Sequence, residues 1–279
     1  GVGTSRGSEE PDEEVLALFA CLGGDQRAYR RELKKGMRAL VSEVYSPPRV
    51  TAALKAMPSL GLLPGFSLDL TVIDDFDGQP WDFDRLEKRQ RAMKLVQEQK
   101  PILLIGSPMC KAFCQWQKLN EAKARDPGIY RRERCRAELH MRFVCDLYAE
   151  QHRQGRYFLH EHPAGASSWA MTEVQRLLAQ EKVDISEADQ CQYGQEYDGE
   201  PVKKRTRFMS NSARIRTALS KKCTGRGGLC SGSPRRSRMR HRWCEGPVAS
   251  AAERYPLELC RAILRGIAAQ VKDDGYYQD

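Results

Sequence analysis

The run Pro101-Ile102-Leu103-Leu104-Ile105-Gly106-Ser107-Pro108-Met109-Cys110 decides how this chain folds. From Ile102 to Ile105 it is apolar at every position, with none of the alternation expected of a strand that has one wet face. A short run of this kind reads as a strand buried on both sides, as in a parallel sheet covered by helices above and below. Gly106-Ser107-Pro108 breaks the run and leaves Met109 and Cys110 just beyond its carboxyl end.

Strands and helices alternate on either side of it. Further strands are predicted over 41–45, 66–72, 157–159 and 206–209. Ser46-Pro47-Pro48 must be a turn, because neither proline can sit inside a helix. Helices are expected over 50–57, over 84–99 with Leu86, Met93, Leu95 and Val96 on one side, and over 131–154 with Leu139, Phe143, Val144, Leu147 and Tyr148 at helical spacing. Ser167 or Ser168 can cap a helix carrying Trp169, Val174, Leu177 and Leu178. Pro256 suits the first turn of a last helix over 256–271, whose apolar stripe is Leu259, Ile263, Leu264 and Ile267. The pattern predicts an open α/β fold, doubly wound, with a mostly parallel sheet and helices on both faces. It divides the chain into an N-terminal extension over 1–40, partly disordered and partly helical, and a Rossmann-like domain over 41–210. A basic insert over 211–250 and a C-terminal segment over 251–279, whose helix returns to the core, complete it.

The 279 residues are enough for a buried core, and at 30% charged and 41% hydrophobic the chain is neither a disordered tail nor a membrane protein. No apolar run approaches the roughly 20 residues that span a bilayer. There is no charged-then-apolar leader, so the expected location is nuclear or cytoplasmic; Gly1 in place of Met suggests a piece of something longer. Ten scattered cysteines then read as free thiols. The net charge of +9 is local: 14 basic residues and no acid stand between Lys203 and Arg242, while the rest of the chain, 32 basic against 37 acidic residues, is net acidic. Such a stretch is either a solvated loop or a phosphate-facing patch for nucleic acid, most readily DNA.

In doubly wound sheets ligands bind outside the carboxyl ends of the strands. There this sequence places Ser46-Pro47-Pro48-Arg49, then Asp69 with Trp81 and Asp82 further on, then Cys110, Phe113, Cys114 and Gln115, then His160-Glu161-His162-Pro163, and later Gln192-Tyr193-Gly194 and Lys204-Arg205-Thr206-Arg207. Pro108-Met109-Cys110 with Phe113-Cys114, then Glu161-His162-Pro163, then Tyr193-Gly194 with Arg205-Thr206-Arg207 resemble, in that order, the motifs of the cytosine-C5 DNA methyltransferases. From Glu43 onward the chain also resembles a domain of eukaryotic retroelement polyproteins.

The resemblance implies a class I methyltransferase fold and S-adenosylmethionine as cofactor. It implies Cys110 as the thiolate that adds to C6 of cytosine, Glu161 as the donor to N3, and Arg205 and Arg207 as holders of the flipped base and its phosphate. Asp69 would bind ribose hydroxyls, Trp81 and Asp82 the adenine, and Tyr45, Ser46 and Pro108 the rest of the cofactor. Where the family has a glycine-rich turn after the first strand, this chain has Tyr45-Ser46-Pro47-Pro48, and proline offers no N–H. That departure supports a second class of function, a catalytically inactive nucleic-acid-binding module. A third is a thiol hydrolase pairing Cys110 with His160 or His162, which requires a direct Cys–His contact.

Other residues have plainer expectations. Trp81 and Trp169 also read as core, and His140 and His152 as surface or helix-capping residues. Cys223, Cys230, His241 and Cys244 are zinc-type ligands outside the usual paired spacing, so a structural zinc stays open and no metal is assigned.

Overall fold

The computed structural model describes residues 39–114, 126–232 and 239–275. The extension over 1–38 and Gln115 lie outside the described residues. A six-stranded sheet is built from β1 (Leu40–Val44), β2 (Leu63–Leu68), β3 (Leu103–Gly106), β4 (Tyr157–Pro163), β5 (Asp184–Asp189) and β6 (Arg205–Ser210). Its order is β2-β1-β3-β4-β6-β5. The first four strands run parallel, and β6 lies antiparallel between β4 and β5. The expected doubly wound, mostly parallel sheet is therefore present.

Strand alternation divides the interior into two cores. Leu104, Phe158 and Met209 point to one face, packing on α2 (Leu86–Gln99), α3 (Pro127–Arg153) and α4 (Thr172–Leu178) through Ala92, Val96, Met141, Val144, Tyr148 and Val174. Leu103, Ile105, Leu159 and Phe208 point to the other. There they meet α1 (Val50–Ala53), α5 (Ala213–Ala218) and α7 (Leu257–Asp273) through Val50, Ile215, Leu259, Ile263 and Ile267. A further short helix, α6, spans Gly246–Ala251. Among the described residues no helix is long and apolar enough to cross a membrane.

The structure corrects several boundaries. The second strand ends at Leu68, because Asp69 Oδ1 accepts from both the backbone N–H and the hydroxyl of Thr71 and turns the chain there. The helix after Pro48 shortens to α1 followed by a 3-10 turn over Leu54–Ala56. Neither Ser167 nor Ser168 caps a long helix; they open a 3-10 turn, and α4 begins only at Thr172. Strand β5 was not predicted, since Asp-Ile-Ser-Glu-Ala-Asp carries three acids. Helix α5 lies in the segment read as a basic insert, and Gly266 admits it: a Cβ there would come within 2.9 Å of Ile215 Cα.

Candidate functional site

Strand order reverses between β1 and β3, because β2 lies on one side of β1 and β3 on the other. Crevices form at such a switch point. Here a cleft of about 420 Å³ opens beyond the strand ends. Tyr45 and Pro47 line it from the end of β1, Asp69 from the end of β2, Trp81 and Asp82 from the loop before α2, Pro108 and Cys110 from beyond β3, and Glu161 from β4. Residues from Tyr45 to Glu161, more than a hundred positions apart in the sequence, thus line one cleft.

The turn after β1 is held from below by a buried carboxylate. Glu43 Oε1 accepts from the backbone N–H groups of Arg49 at 3.0 Å and Thr51 at 2.8 Å and from the Thr51 hydroxyl at 2.7 Å. Its other oxygen accepts from Ser46 Oγ at 3.0 Å. Ser46 is therefore turned into the protein and does not line the cleft, contrary to its expected role. Tyr45 adopts φ 57°, a conformation that costs a non-glycine residue about 1 kcal/mol or more and that a glycine takes freely.

Tyr45 is fixed by a group read in the sequence as surface. His140, on α3, is buried, and its Nδ1 lies 2.9 Å from Tyr45 Oη and its Nε2 2.8 Å from Asp84 Oδ1. Burial holds His140 below the ordinary imidazole pKa, although Asp84 pulls the other way. In the neutral ring Nε2–H donates to the carboxylate, so Nδ1 accepts from the Tyr45 hydroxyl. Burial also raises Tyr45 well above the usual phenol range, so its proton stays in place. His140 also lines the cleft, and no helical period could show that a histidine on α3 meets a tyrosine 95 residues earlier. His152, by contrast, stands half-buried in the last turn of α3.

Cys110, Glu161 and Lys204 line the same cleft. Burial pushes the Cys110 thiol up to about 11, with the Lys204 charge lowering it and the Glu161 charge raising it. Glu161 Oε1 lies 3.3 Å from Lys204 Nζ and 3.5 Å from Gln190 Nε2. Lys204 Nζ also donates to the carbonyl of Ala252 at 3.2 Å, which draws the segment before α7 against the cleft. Arg49 does the same, donating to Glu253 O at 2.6 Å, and the Ser107 and Tyr255 hydroxyls bond to each other.

Arg205 and Arg207 do not join this group. In β6 the residue opposite Glu161 is Phe208, and Arg207 is opposite His162. Positions 204, 206 and 208 therefore share the face of Glu161, while 205 and 207 turn to the other face. There both arginines pair with Glu187 of β5, as does Lys222. Hydrogen bonds from Lys222 and then Arg205 lower the Glu187 carboxyl to about 2. The cation beside Glu161 is Lys204, one residue before the Arg-x-Arg motif.

The same alternation removes the thiol hydrolase arrangement. His160 and His162 lie on the face opposite Glu161, stacked at 5.5 Å with Trp169 edge-on to both. His160 Nδ1 meets Tyr148 Oη at 3.2 Å, and His162 Nδ1 meets Ser168 Oγ at 2.6 Å. Among the described residues no hydrogen bond joins Cys110 to either. Trp169 is core, as expected, with its indole N–H on Pro163 O. Trp81 is buried and still contributes an edge to the cleft.

No family model, curated protein or solved structure matches this chain.

Proposed function

We propose that this chain is a divergent S-adenosylmethionine-dependent DNA cytosine-5 methyltransferase-like domain of the kind carried by retroelement polyproteins. The observation that carries the reading is the meeting of Cys110 and Glu161 in the switch-point cleft. The cleft also fits the cofactor in its donors. Asp69 and Asp82 offer carboxylates to ribose hydroxyls and an exocyclic amine, Trp81 and Tyr45 offer ring surface, and the volume is in the range of small-molecule sites. When bound, the cofactor would supply an electrophilic methyl group.

The chain's own residues would act on the base. Attack by the Cys110 sulfur on C6 releases the thiol proton to solvent and moves electron density to C5. Glu161 would share with N3 a proton taken up from solvent, and so stabilise the charge that the attack creates. Lys204 orients Glu161 and favours the thiolate at Cys110. Arg205 and Arg207, turned to Glu187, take no part. The basic residues between Lys203 and Arg242 would supply the sequence-independent hold on DNA phosphates. Transfer of labelled methyl from S-adenosylmethionine to DNA, compared between wild type and Cys110→Ala, tests this reading. Activity in the wild type and none in the variant is expected; equal activity in both rules out the nucleophile.

A second reading, an inactive nucleic-acid-binding module, is favoured by two observations. Pro47 lines the cleft where a glycine-rich turn would offer N–H groups, and Cys110 is held protonated. Calorimetry separates the two. Absence of S-adenosylmethionine binding at millimolar ligand, with salt-sensitive DNA binding intact, decides for the module.

A further inference from the structure

Beyond the end of β5, away from the thiol of the cleft, three more cysteines and a histidine come together. Cys191 stands in the 3-10 turn Gln190–Tyr193 that follows β5. Cys223 and Cys230 flank a tight loop, and His241 follows on the far side of it. The Sγ atoms of the three cysteines and a ring nitrogen of His241 all lie within 4.8 Å of one another. The three cysteines form a buried cluster that, among the described residues, contains no other hydrophobic side chain. A hydrophobic core has no reason to be assembled from sulfur alone.

The surroundings are arranged for an ion. His241 Nδ1 lies 3.0 Å from the carbonyl of Gly228, which can only accept, so the ring proton is on Nδ1. That leaves the Nε2 lone pair facing Cys223 Sγ at 3.5 Å. A ring N–H given to a backbone carbonyl is how metal-bound histidines are commonly oriented. The sulfurs accept hydrogen bonds as thiolates do: Cys223 from the N–H and hydroxyl of Ser231, Cys230 from the N–H of Gly232.

The backbone is bent to suit. Cys230 N donates to Met239 O at 2.9 Å and His241 N to Gly228 O at 2.8 Å, a short ladder that sets these two ligands side by side. Gly225 permits the loop between Cys223 and Cys230, because a Cβ there would come within 1.9 Å of Leu229 O. The Cys223 N–H is tied to Asp189 at the end of β5, at 2.7 Å.

We propose that Cys191, Cys223, Cys230 and His241 bind one structural zinc ion that fastens the basic loop to the end of the sheet. Three thiolates and an imidazole are a donor set that selects zinc, and four protein ligands close its tetrahedron and leave no position for catalysis. A tetrahedron with bonds of about 2.3 Å has edges of about 3.8 Å, so the four atoms need to draw in by no more than about 1 Å. The ligand set differs from the four residues read in the sequence. Cys244 packs against Val202 and Val248 in a separate cluster. Cys191, placed by the end of β5, takes its position. The ion would anchor Lys221, Lys222, Arg226, Arg240 and Arg242, and with them the presentation of the basic segment.

The test measures metal by mass spectrometry in protein purified from zinc-supplemented cells. One zinc per chain is expected in wild type and in Cys244→Ser, with loss of at least about tenfold in Cys191→Ser. Wild type holding less than about a tenth of an equivalent overturns the proposal, as does zinc kept by Cys191→Ser and lost by Cys244→Ser. Should Cys191→Ser be insoluble, cobalt titration of the reduced wild-type protein still decides. The visible bands of a tetrahedral cobalt thiolate, displaced by zinc, support the site, and their absence refutes it. Two missing titratable thiols in metal-free, unreduced protein would instead mark a disulfide in the cluster, and would also overturn it.

Discussion

Alkylation of Cys110 by iodoacetamide is expected to follow a pH curve shifted well to the alkaline side of an ordinary thiol. A thiol at about 11 is about one part in ten thousand thiolate at pH 7, roughly a hundredfold less than one at its usual value of 9.0. The more basic thiolate is the better nucleophile, by about half a logarithm per pKa unit, which returns roughly tenfold. Cys110 in the folded protein is therefore expected to react about tenfold more slowly at pH 7 than in the urea-unfolded chain, with partial burial slowing it further. Its rate is expected to climb about tenfold per pH unit up to about pH 10, and this slope is independent of access. The assay is peptide mass spectrometry of timed, quenched reactions. Two variants carry the sign: Lys204→Met removes the charge that lowers the thiol and moves the curve to higher pH, while Glu161→Gln removes the charge that raises it and moves the curve to lower pH. A rate that levels off by pH 8, or two variants that move the same way, would refute the electrostatic account of the cleft.

Other perturbations probe the scaffold. Glu43→Ala leaves the donors at Arg49, Thr51 and Ser46 without their acceptor, and is expected to cost about 3–5 kcal/mol and lower Tm by roughly 10 °C. Glu43→Gln keeps the acceptor for Thr51 and should lose less than half of that; urea unfolding showing Glu43→Ala within about 1 kcal/mol of wild type would contradict the role given to this carboxylate. Burial, with the Lys204 charge adding to it, pushes His162 down to about 3. The unfolded chain then binds the extra proton between about pH 6.5 and 3, so stability present above that window is lost as pH falls through it, by about 5 kcal/mol in all. Urea midpoints at pH 7, 5.5 and 4 should decline, and His162→Gln should flatten the decline; an equal slope in both proteins counts against it.

The sheet was legible because its strands are short apolar runs ended by Gly, Ser and Pro, and because turn chemistry is local. Leu103, Leu104 and Ile105 are buried on both faces, as their unbroken apolarity implied. The cleft followed from the same reading. Once strands alternate with helices, the residues after each strand end must face one edge, which is why Asp69, Cys110 and Glu161 could be named together.

What the sequence could not decide is which face or partner a side chain takes when the answer depends on a distant element. Whether position 204 or 205 faces Glu161 is a matter of pairing register between β4 and β6, and a shift of one residue exchanges the two. His140 looks like any polar residue on a long helix until Tyr45 and Asp84 are set against it. Strand β5 exists because β6 offers it a partner and its Glu187 meets Arg205, Arg207 and Lys222, not because its own residues favour a strand. Cys191 and Cys223 lie 32 positions apart, and only the packing of a turn after β5 against the loop that follows α5 brings their sulfurs together. Local chemistry thus determined the elements and the edge where the site forms, while long-range pairing selected the residues that occupy it.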